Sequence, residues 1–464
     1  MSDAEQPGPM ESAFEPTEPN TGEEFEPVDV FPDSDDFDLR PGSDSCYKCS
    51  TCDTNCPVAE VDDEFPGPKF QGPEQWRLKQ SEDDYDIDDS VMDCSNCMRC
   101  DNACPAGVPL SQMHNTARGE YVSEQMDHLS IEYWRNRILS NYRTSAWLAS
   151  KTPRLANFAM NLGPARWLME KTMGVTKERE FPEFATETFR EWWDKRGAAA
   201  GSKERAQAAR RERGLPEDAD KKVAYFHGCY SNYNTTEVGK AMVRVYEHFG
   251  YEVVVPEQGC SGTPMFANGM LEDARRHAEV NVSSMSDLVD QGYDAIASCT
   301  SCSMALRQEY PELFDIDGID DLAANTFESI EYLRIHEDIR EEIQAAEVSG
   351  ELADEFAYHA PCHSRNQGLD RQAVELFREL DGAGIEDVGE SCSGISGTYG
   401  WKAEKYEKSM KIGDEMFDHM EHAEGETGMT ECPTCAMQME HGTGYDIRHP
   451  LELVEAALVD GHAV

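Results

Sequence analysis

Basic residues are scarce in this chain. Lysine and arginine number 41 against 91 aspartates and glutamates, a formal charge of −50. No basic stripe exists to neutralise phosphates, so the expected partners include no nucleic acid. One reading of the acid is a surface for a basic partner. The preferred one is a halophilic adaptation: the acid is spread over the whole length, and concentrated salt screens its self-repulsion. Long apolar runs are missing as well. No stretch approaches the roughly 18 apolar residues of a spanning helix. The first base is Arg40, so no charged segment followed by an apolar one reads as a signal peptide. The expected location is therefore cytoplasmic, without a transmembrane segment. No GxGxxG string follows an apolar run, and neither a P-loop nor a serine–histidine triad is present, so neither flavin nor NAD is expected on this chain and no catalytic residue is assigned.

Cysteine, by contrast, is abundant, at 16 residues. A chain this long with no secretory leader does not read as a disulfide framework, which points to a reducing compartment and metal thiolates. Eight of the cysteines form one motif twice: Cys46, Cys49, Cys52 and Cys56-Pro57, then Cys94, Cys97, Cys100 and Cys104-Pro105. Three cysteines at three-residue intervals, then a fourth before proline, is the bacterial ferredoxin pattern for a cubane [4Fe-4S] cluster. A loop turning every three residues can aim three thiolates at three iron corners. In two-cluster proteins the fourth cysteine serves the other cluster, so Cys56 is expected with the second triplet and Cys104 with the first. Paired C-x-x-C units also hold zinc, but a zinc site has no use for a third cysteine at the same spacing.

Taken in order, residues 1–44 are rich in proline and acid and poor in large apolar groups, and read as a disordered tail. Residues 45–132 read as a helical two-cluster module, with a loop and a short helix between its motifs. After Pro105, Leu110, Met113, His114, Ala117 and Tyr121 recur at helical spacing. Residues 133–196 begin with a local reversal of charge. Arg135, Arg137, Arg143, Lys151, Arg154, Arg166, Lys171 and Lys177 face one acid, Glu170, with Trp134, Trp147 and Trp167 interleaved. That stretch is either an inter-domain helix pair with core aromatics or a docking face for anionic lipid or an acidic partner. Residues 197–221 read as an exposed helical linker. From Lys222 short apolar runs alternate with helical ones, and a second such series starts near Phe356.

The remaining eight cysteines repeat a second design. Cys229, Cys260, Cys299 and Cys302 correspond to Cys362, Cys392, Cys432 and Cys435 at offsets of 133, 132, 133 and 133 residues. So regular a period implies a duplicated domain, over 222–345 and 346–464. In each copy the lone cysteine follows a strand, the next sits in a Cys-Ser-Gly turn, and the C-x-x-C opens a helix. Ligand loops at the ends of parallel strands converge on one crevice. The expected fold is thus an α-helical ferredoxin-like N-terminal module followed by two α/β cysteine-rich repeats. His227, His359 and His363 keep no register between the copies, so supporting or core roles suit them better than iron ligation.

The repeat resembles the twin cysteine-rich domain of heterodisulfide reductase-type proteins. Its combination with a two-cluster front end is similar to the iron–sulfur subunits of flavin dehydrogenases, and specifically to the anaerobic glycerol-3-phosphate dehydrogenase type. The strings that carry this are His227-Gly228-Cys229 with Asn232-Tyr233-Asn234, Gly262-Thr263-Pro264 leading to Ala267-Asn268-Gly269, Gly394 to Gly400, and His449-Pro450-Leu451. The resemblance implies an electron-transfer subunit between a flavoprotein dehydrogenase partner and the membrane quinone pool or a membrane anchor, peripheral on the inner face of the cell membrane. Alternatives are a subunit serving a glycolate or lactate dehydrogenase, or a disulfide reductase with its own active site. Both Cys-Cys-Gly turns of the resembled family have lost their second cysteine, to Ser261 and Ser393. Each copy keeps four cysteines, as a cubane needs, so up to two further iron–sulfur clusters are expected there beside two [4Fe-4S] clusters in front. A four-cysteine zinc or purely structural site remains the alternative in each copy.

Overall fold

Two loops at the N-terminal end carry the same backbone strain. Lys48 (φ 60°) and Ser50 (φ 62°) flank Cys49, and Asn96 (φ 55°) and Met98 (φ 60°) flank Cys97. A left-handed conformation costs a residue with a side chain about 1–2 kcal/mol. Strain repeated at matching positions marks loops whose shape is held for a purpose. Each loop runs into a one-turn helix, Thr51–Thr54 or Arg99–Ala103. The chain then turns at Cys56-Pro57 and Cys104-Pro105.

These features belong to a computed structural model that describes residues 46–81, 85–346, 355–378, 380–389 and 391–459. The acidic tail expected over 1–44 lies outside the described residues. Between the two motifs the chain is more helical than a loop and one helix: helices Pro57–Val61 and Gln75–Ser81 bracket a π-turn, Phe70–Glu74, and a 3-10 turn follows at Asp89–Asp93. The helix expected after Pro105 forms as Leu110–Glu120 and buries Leu110, Met113 and His114.

The rest is built on two small parallel sheets of identical topology. Strands β1 (Lys222–Phe226), β2 (Glu252–Val254), β3 (Asp294–Ala297) and β4 (Thr326–Glu328) lie in the order β2-β1-β3-β4. Strands β5 (Glu355–Tyr358), β6 (Gly384–Asp387), β7 (Thr427–Met429) and β8 (Asp446–Arg448) repeat it as β6-β5-β7-β8. Every pairing is parallel, with Val223 beside Val253 and Asp294 in the first sheet and Phe356 beside Ile385 and Thr427 in the second. Parallel strands need crossover helices, which cover both faces and make the strands near-continuously apolar. One core joins the copies: Val223, Tyr225 and Ile296 share a cluster with Phe356, Tyr358 and Met429. The front module packs on both copies, Val91 and Val122 against Phe226 and Met265, and Val58 and Phe65 against Cys392 and Ile412.

Two expectations need correction. The helix within 197–221, Ala198–Glu212, is not an exposed linker, because Ser202, Ala206 and Arg210 are buried. Ser202 Oγ accepts the Val253 N–H at 3.1 Å, and Arg210 donates to the carbonyls of Gly250 and Lys221 at 2.7 Å each. The helix thereby covers the β2 edge, whose backbone groups would otherwise lie open. Nor is the basic segment a helix pair. Four short helices, Ile131–Ser140, Tyr142–Ala149, Pro153–Met160 and Gly163–Met173, expose a broad apolar surface. Trp134, Trp147, Leu148, Leu155, Phe158, Trp167 and Leu168 are all exposed, at 49–67%. So large an exposed apolar surface marks an interaction site rather than a core. The basic character shrinks correspondingly. Arg135 pairs with Glu404, Arg137 with Asp273 and Lys177 with Glu170, while buried Arg166 donates to the Lys177 carbonyl. Lys151, Arg154 and Lys171 stay exposed with no carboxylate partner among the described residues.

Candidate metal centre

The strained loops and the strand ends bring the sixteen thiols into three groups. Cys46, Cys49, Cys52 and Cys104 line one small cavity, and Cys56, Cys94, Cys97 and Cys100 line another. In each, the fourth thiol comes from the other motif, the exchange that the duplicated spacing predicts. Cys229, Cys260 and Cys299 follow β1, β2 and β3; Cys362, Cys392 and Cys432 follow β5, β6 and β7. With Cys302 and Cys435 they all line a third cavity of 360 Å³. The two copies therefore do not enclose separate crevices. Their C-x-x-C ends meet: Cys299 and Cys432 are within hydrogen-bonding reach, and Ser301 Oγ lies 3.6 Å from Cys432 Sγ.

The groups stand in a series. Cys97 lines both the second cavity and the third. Cys56, Cys94 and Cys97 pack in one cluster with Cys362 and Cys392. His363 clasps the junction, its Nδ1 at 3.0 Å from Ser301 Oγ and its Nε2 at 3.3 Å from the Asn96 carbonyl.

The thiols are not electrically alike. Burial raises Cys52 and Cys56 to about 12. Burial opposes ionisation of Cys94 too, but the Arg118 guanidinium and a 3.8 Å contact with His114 Nδ1 outweigh it and bring Cys94 down to about 6. In the first repeat, a hydrogen bond from Cys229 lowers Cys260 to about 7 and holds Cys229 up. In the second, the bond between Cys362 and Cys392, 3.8 Å long, lowers Cys362 and raises Cys392. Backbone amides also face sulfur: Asn96 N–H donates to Cys94 at 3.5 Å and Gly394 N–H to Cys392 at 3.4 Å. Ser261 Oγ accepts from Cys302 Sγ at 3.3 Å, and Ser393 Oγ repeats that separation from Cys435 Sγ.

The donor set fits iron–sulfur clusters. In a chain with 91 acidic residues, no described carboxylate lines any of the three cavities. Four thiolates give such a cluster a net negative charge, which amide N–H groups and cations offset and which nearby carboxylates would oppose. His227 has both ring nitrogens taken, Nε2 accepting from Arg190 Nε at 3.1 Å and Nδ1 lying 2.6 Å from the Gly228 carbonyl, while His359 is fully buried and does not line the third cavity. Sequence reasoning missed His114 as a thiol partner and missed Arg118 and Arg365 altogether. None of the three has a counterpart in the repeats that could have drawn attention to it.

Comparison with known proteins matches this division. Residues 42–108 match the family described as a 4Fe-4S dicluster domain, and residues 223–307 and 356–440 match the one described as a cysteine-rich domain. The chain is 32% identical over 425 residues to the C subunit of anaerobic glycerol-3-phosphate dehydrogenase from Escherichia coli (strain K12), covering 89% of this chain and 98% of that protein. It is 28% identical over 246 residues to lactate utilization protein A of an Exiguobacterium species, covering 51% and 96%. It is 27% identical over 251 residues to the B subunit of fumarate reductase (CoM/CoB) from Methanothermobacter marburgensis, covering 52% and 47%.

Proposed function

The chain belongs to the family of the anaerobic glycerol-3-phosphate dehydrogenase C subunit, and from that premise we propose that it carries electrons from a flavoprotein partner oxidising glycerol 3-phosphate toward membrane quinone. One observation carries this reading. The thiols form a series of three groups, the second and third sharing Cys97, and such a series is what single-electron relay through a protein requires.

Cys46, Cys49, Cys52 and Cys104 would hold one [4Fe-4S] cluster, and Cys56, Cys94, Cys97 and Cys100 the other. Cys229, Cys260, Cys299, Cys302, Cys362, Cys392, Cys432 and Cys435 would hold up to two more. Clusters so held supply one-electron steps, which divide the two electrons of an alcohol oxidation. The first thiol group lies nearest the surface, with Cys49 and Tyr47 exposed, and suits receipt of electrons from a partner. The 360 Å³ cavity lies at the far end of the series. Its other wall is Ile138, Tyr142, Met160, Met169 and Met173, from the four helices whose outer faces expose tryptophan and leucine. A wall that is apolar on both sides, thiols within and lipid without, suits a lipid-soluble acceptor and peripheral attachment to the membrane. No described helix is long and apolar enough to cross one.

The glycerol-3-phosphate reading is preferred to the lactate one because that likeness covers 89% of this chain, whereas the lactate relative matches 51% of it. The test is anaerobic. Protein isolated from its native cells with its partners attached should have its iron–sulfur absorbance bleached by glycerol 3-phosphate and restored by a quinone analogue. Bleaching by lactate or glycolate alone would replace the donor. No bleaching by any of the three, in a preparation that dithionite still reduces, would overturn the relay.

A further inference from the structure

The two cysteine-rich copies share a topology and a cavity, but their charges differ. Arg365 lies three residues after Cys362, in the helix Cys362–Asn366. Its Nη2 donates to Cys362 Sγ at 3.3 Å and to the Ser391 carbonyl, next to Cys392, at 3.0 Å. Its Nη1 is buried with no protein acceptor, and no described carboxylate pairs with it. In a chain this acidic, an arginine that meets only sulfur and a carbonyl is conspicuous. The equivalent position of the first copy, 133 residues earlier, is Asn232. Asn232 accepts the Arg190 N–H at 3.1 Å and touches no thiol. On the Cys229–Cys260 side the charge of Arg143 acts on both thiols, but that guanidinium donates to the Gly259 carbonyl at 3.3 Å rather than to sulfur. The front module packs on both copies, but the copy that carries the direct cation is the one whose thiols Cys362 and Cys392 share a packed cluster with Cys97 of the front module.

We propose that Arg365 is a positioning charge that makes the Cys362–Cys392 site, rather than its twin in the first repeat, the acceptor of electrons from the front module. Reduction adds one negative charge to an iron–sulfur group while no bond forms and no proton moves. A group held by Cys56, Cys94, Cys97 and Cys100 would give up one electron, and a group held at Cys362 and Cys392 would take it. A cation hydrogen-bonded to a ligating thiolate, in a site poor in water, favours the reduced state and raises that group's potential. The inference rests on the reading that the repeats hold iron–sulfur clusters.

The full chain, reconstituted anaerobically with iron and sulfide, is titrated potentiometrically with paramagnetic resonance as the readout. Arg365→Gln should move one reduction step to more negative potential, with iron content and the other steps as in the wild type. Arg365→Lys, which keeps the charge, should stay near the wild-type value. Cys362→Ser should alter the step that Arg365→Gln moves, and Cys229→Ser should leave it in place. Loss of iron from Arg365→Gln alone also supports a need for the charge. Three results overturn the inference: wild-type potentials throughout in Arg365→Gln at full iron, equal effects of glutamine and lysine, or a moved step that answers to Cys229. A wild-type chain that takes up iron at the front motifs alone would instead remove the underlying reading, and this inference with it.

Discussion

Ser261 and Ser393 are the residues on which the kind of cluster in the repeats turns. Each stands beside a cysteine in a Cys-Ser-Gly turn, and each hydroxyl lies 3.3 Å from the last cysteine of its copy. A hydroxyl there can hydrogen-bond a thiolate, whereas a second thiol could have bridged iron. Ser261→Ala and Ser393→Ala are therefore expected to keep the iron content and Mössbauer parameters of ordinary cubane sites. Each should cost about 1 kcal/mol, one hydrogen bond. Iron loss in either variant would make the serine oxygen a ligand. At this scale the grouping of the sixteen cysteines was legible, because their spacing is local and each pattern occurs twice. The charges beside them were not. Arg118 is fully buried and reaches Cys94 O at 3.3 Å, Phe266 O at 2.8 Å and Asn115 Oδ1 at 3.1 Å. Two of those partners lie 24 and 148 residues away in the chain, where no periodicity reports them.

Where elements meet, the front module docks on the first repeat through a buried acid. Glu309 ends the π-turn Ala305–Glu309 and is fully buried. Its Oε1 accepts from Asn96 Nδ2 at 3.3 Å, while Oε2 has no partner. Burial pushes its carboxyl up from about 4.5 to about 8, with the asparagine bond opposing the shift. The sign follows from linkage. Below the ordinary value both folded and unfolded states hold the proton, so this group's contribution to stability is full. As pH rises the unfolded chain ionises first, and stability is lost until the folded group titrates near pH 8. The loss is on the order of a few kcal/mol. Glu309→Gln keeps the shape and removes the titration, so its urea midpoint should fall less than wild type between about pH 5 and pH 8. Parallel curves for the two proteins would show that Glu309 does not titrate in this window. The alternation of strand and helix from Lys222 and its return near Phe356 were readable, since a buried parallel strand such as Lys222–Phe226 is a short apolar run. The docking of Ala198–Glu212 was hidden, because one buried face of alanine, serine and an arginine stem resembles a solvated helix in sequence.

Over the whole molecule two surfaces oppose each other in character. The chain carries −50, yet the four helices between 131 and 173 present tryptophan, leucine and phenylalanine with almost no acid. The sequence had weighted this segment toward its eight bases. Once folded, most of them are tied to acids or carbonyls within the protein, and Lys151, Arg154 and Lys171 remain. Each is worth about 1 kcal/mol at an anionic lipid surface at low ionic strength, so electrostatics contributes about 3 kcal/mol there and little in concentrated salt. Burying apolar area contributes about 25 cal/mol per Å², and salts that are excluded from protein surfaces strengthen it. Attachment should therefore change character with salt. Trp147→Ala combined with Trp167→Ala is expected to release the protein from anionic vesicles at both low and high salt, most completely at high salt. Lys151→Gln combined with Arg154→Gln should weaken sedimentation with vesicles several-fold at low salt and leave it unchanged at high salt. Both tryptophans are half exposed, at 54%, so their loss should leave the unfolding midpoint within about 0.5 kcal/mol of wild type. A tryptophan variant that folds normally and still sediments with vesicles in concentrated salt would assign this surface to another protein of the complex, and the membrane contact to that partner.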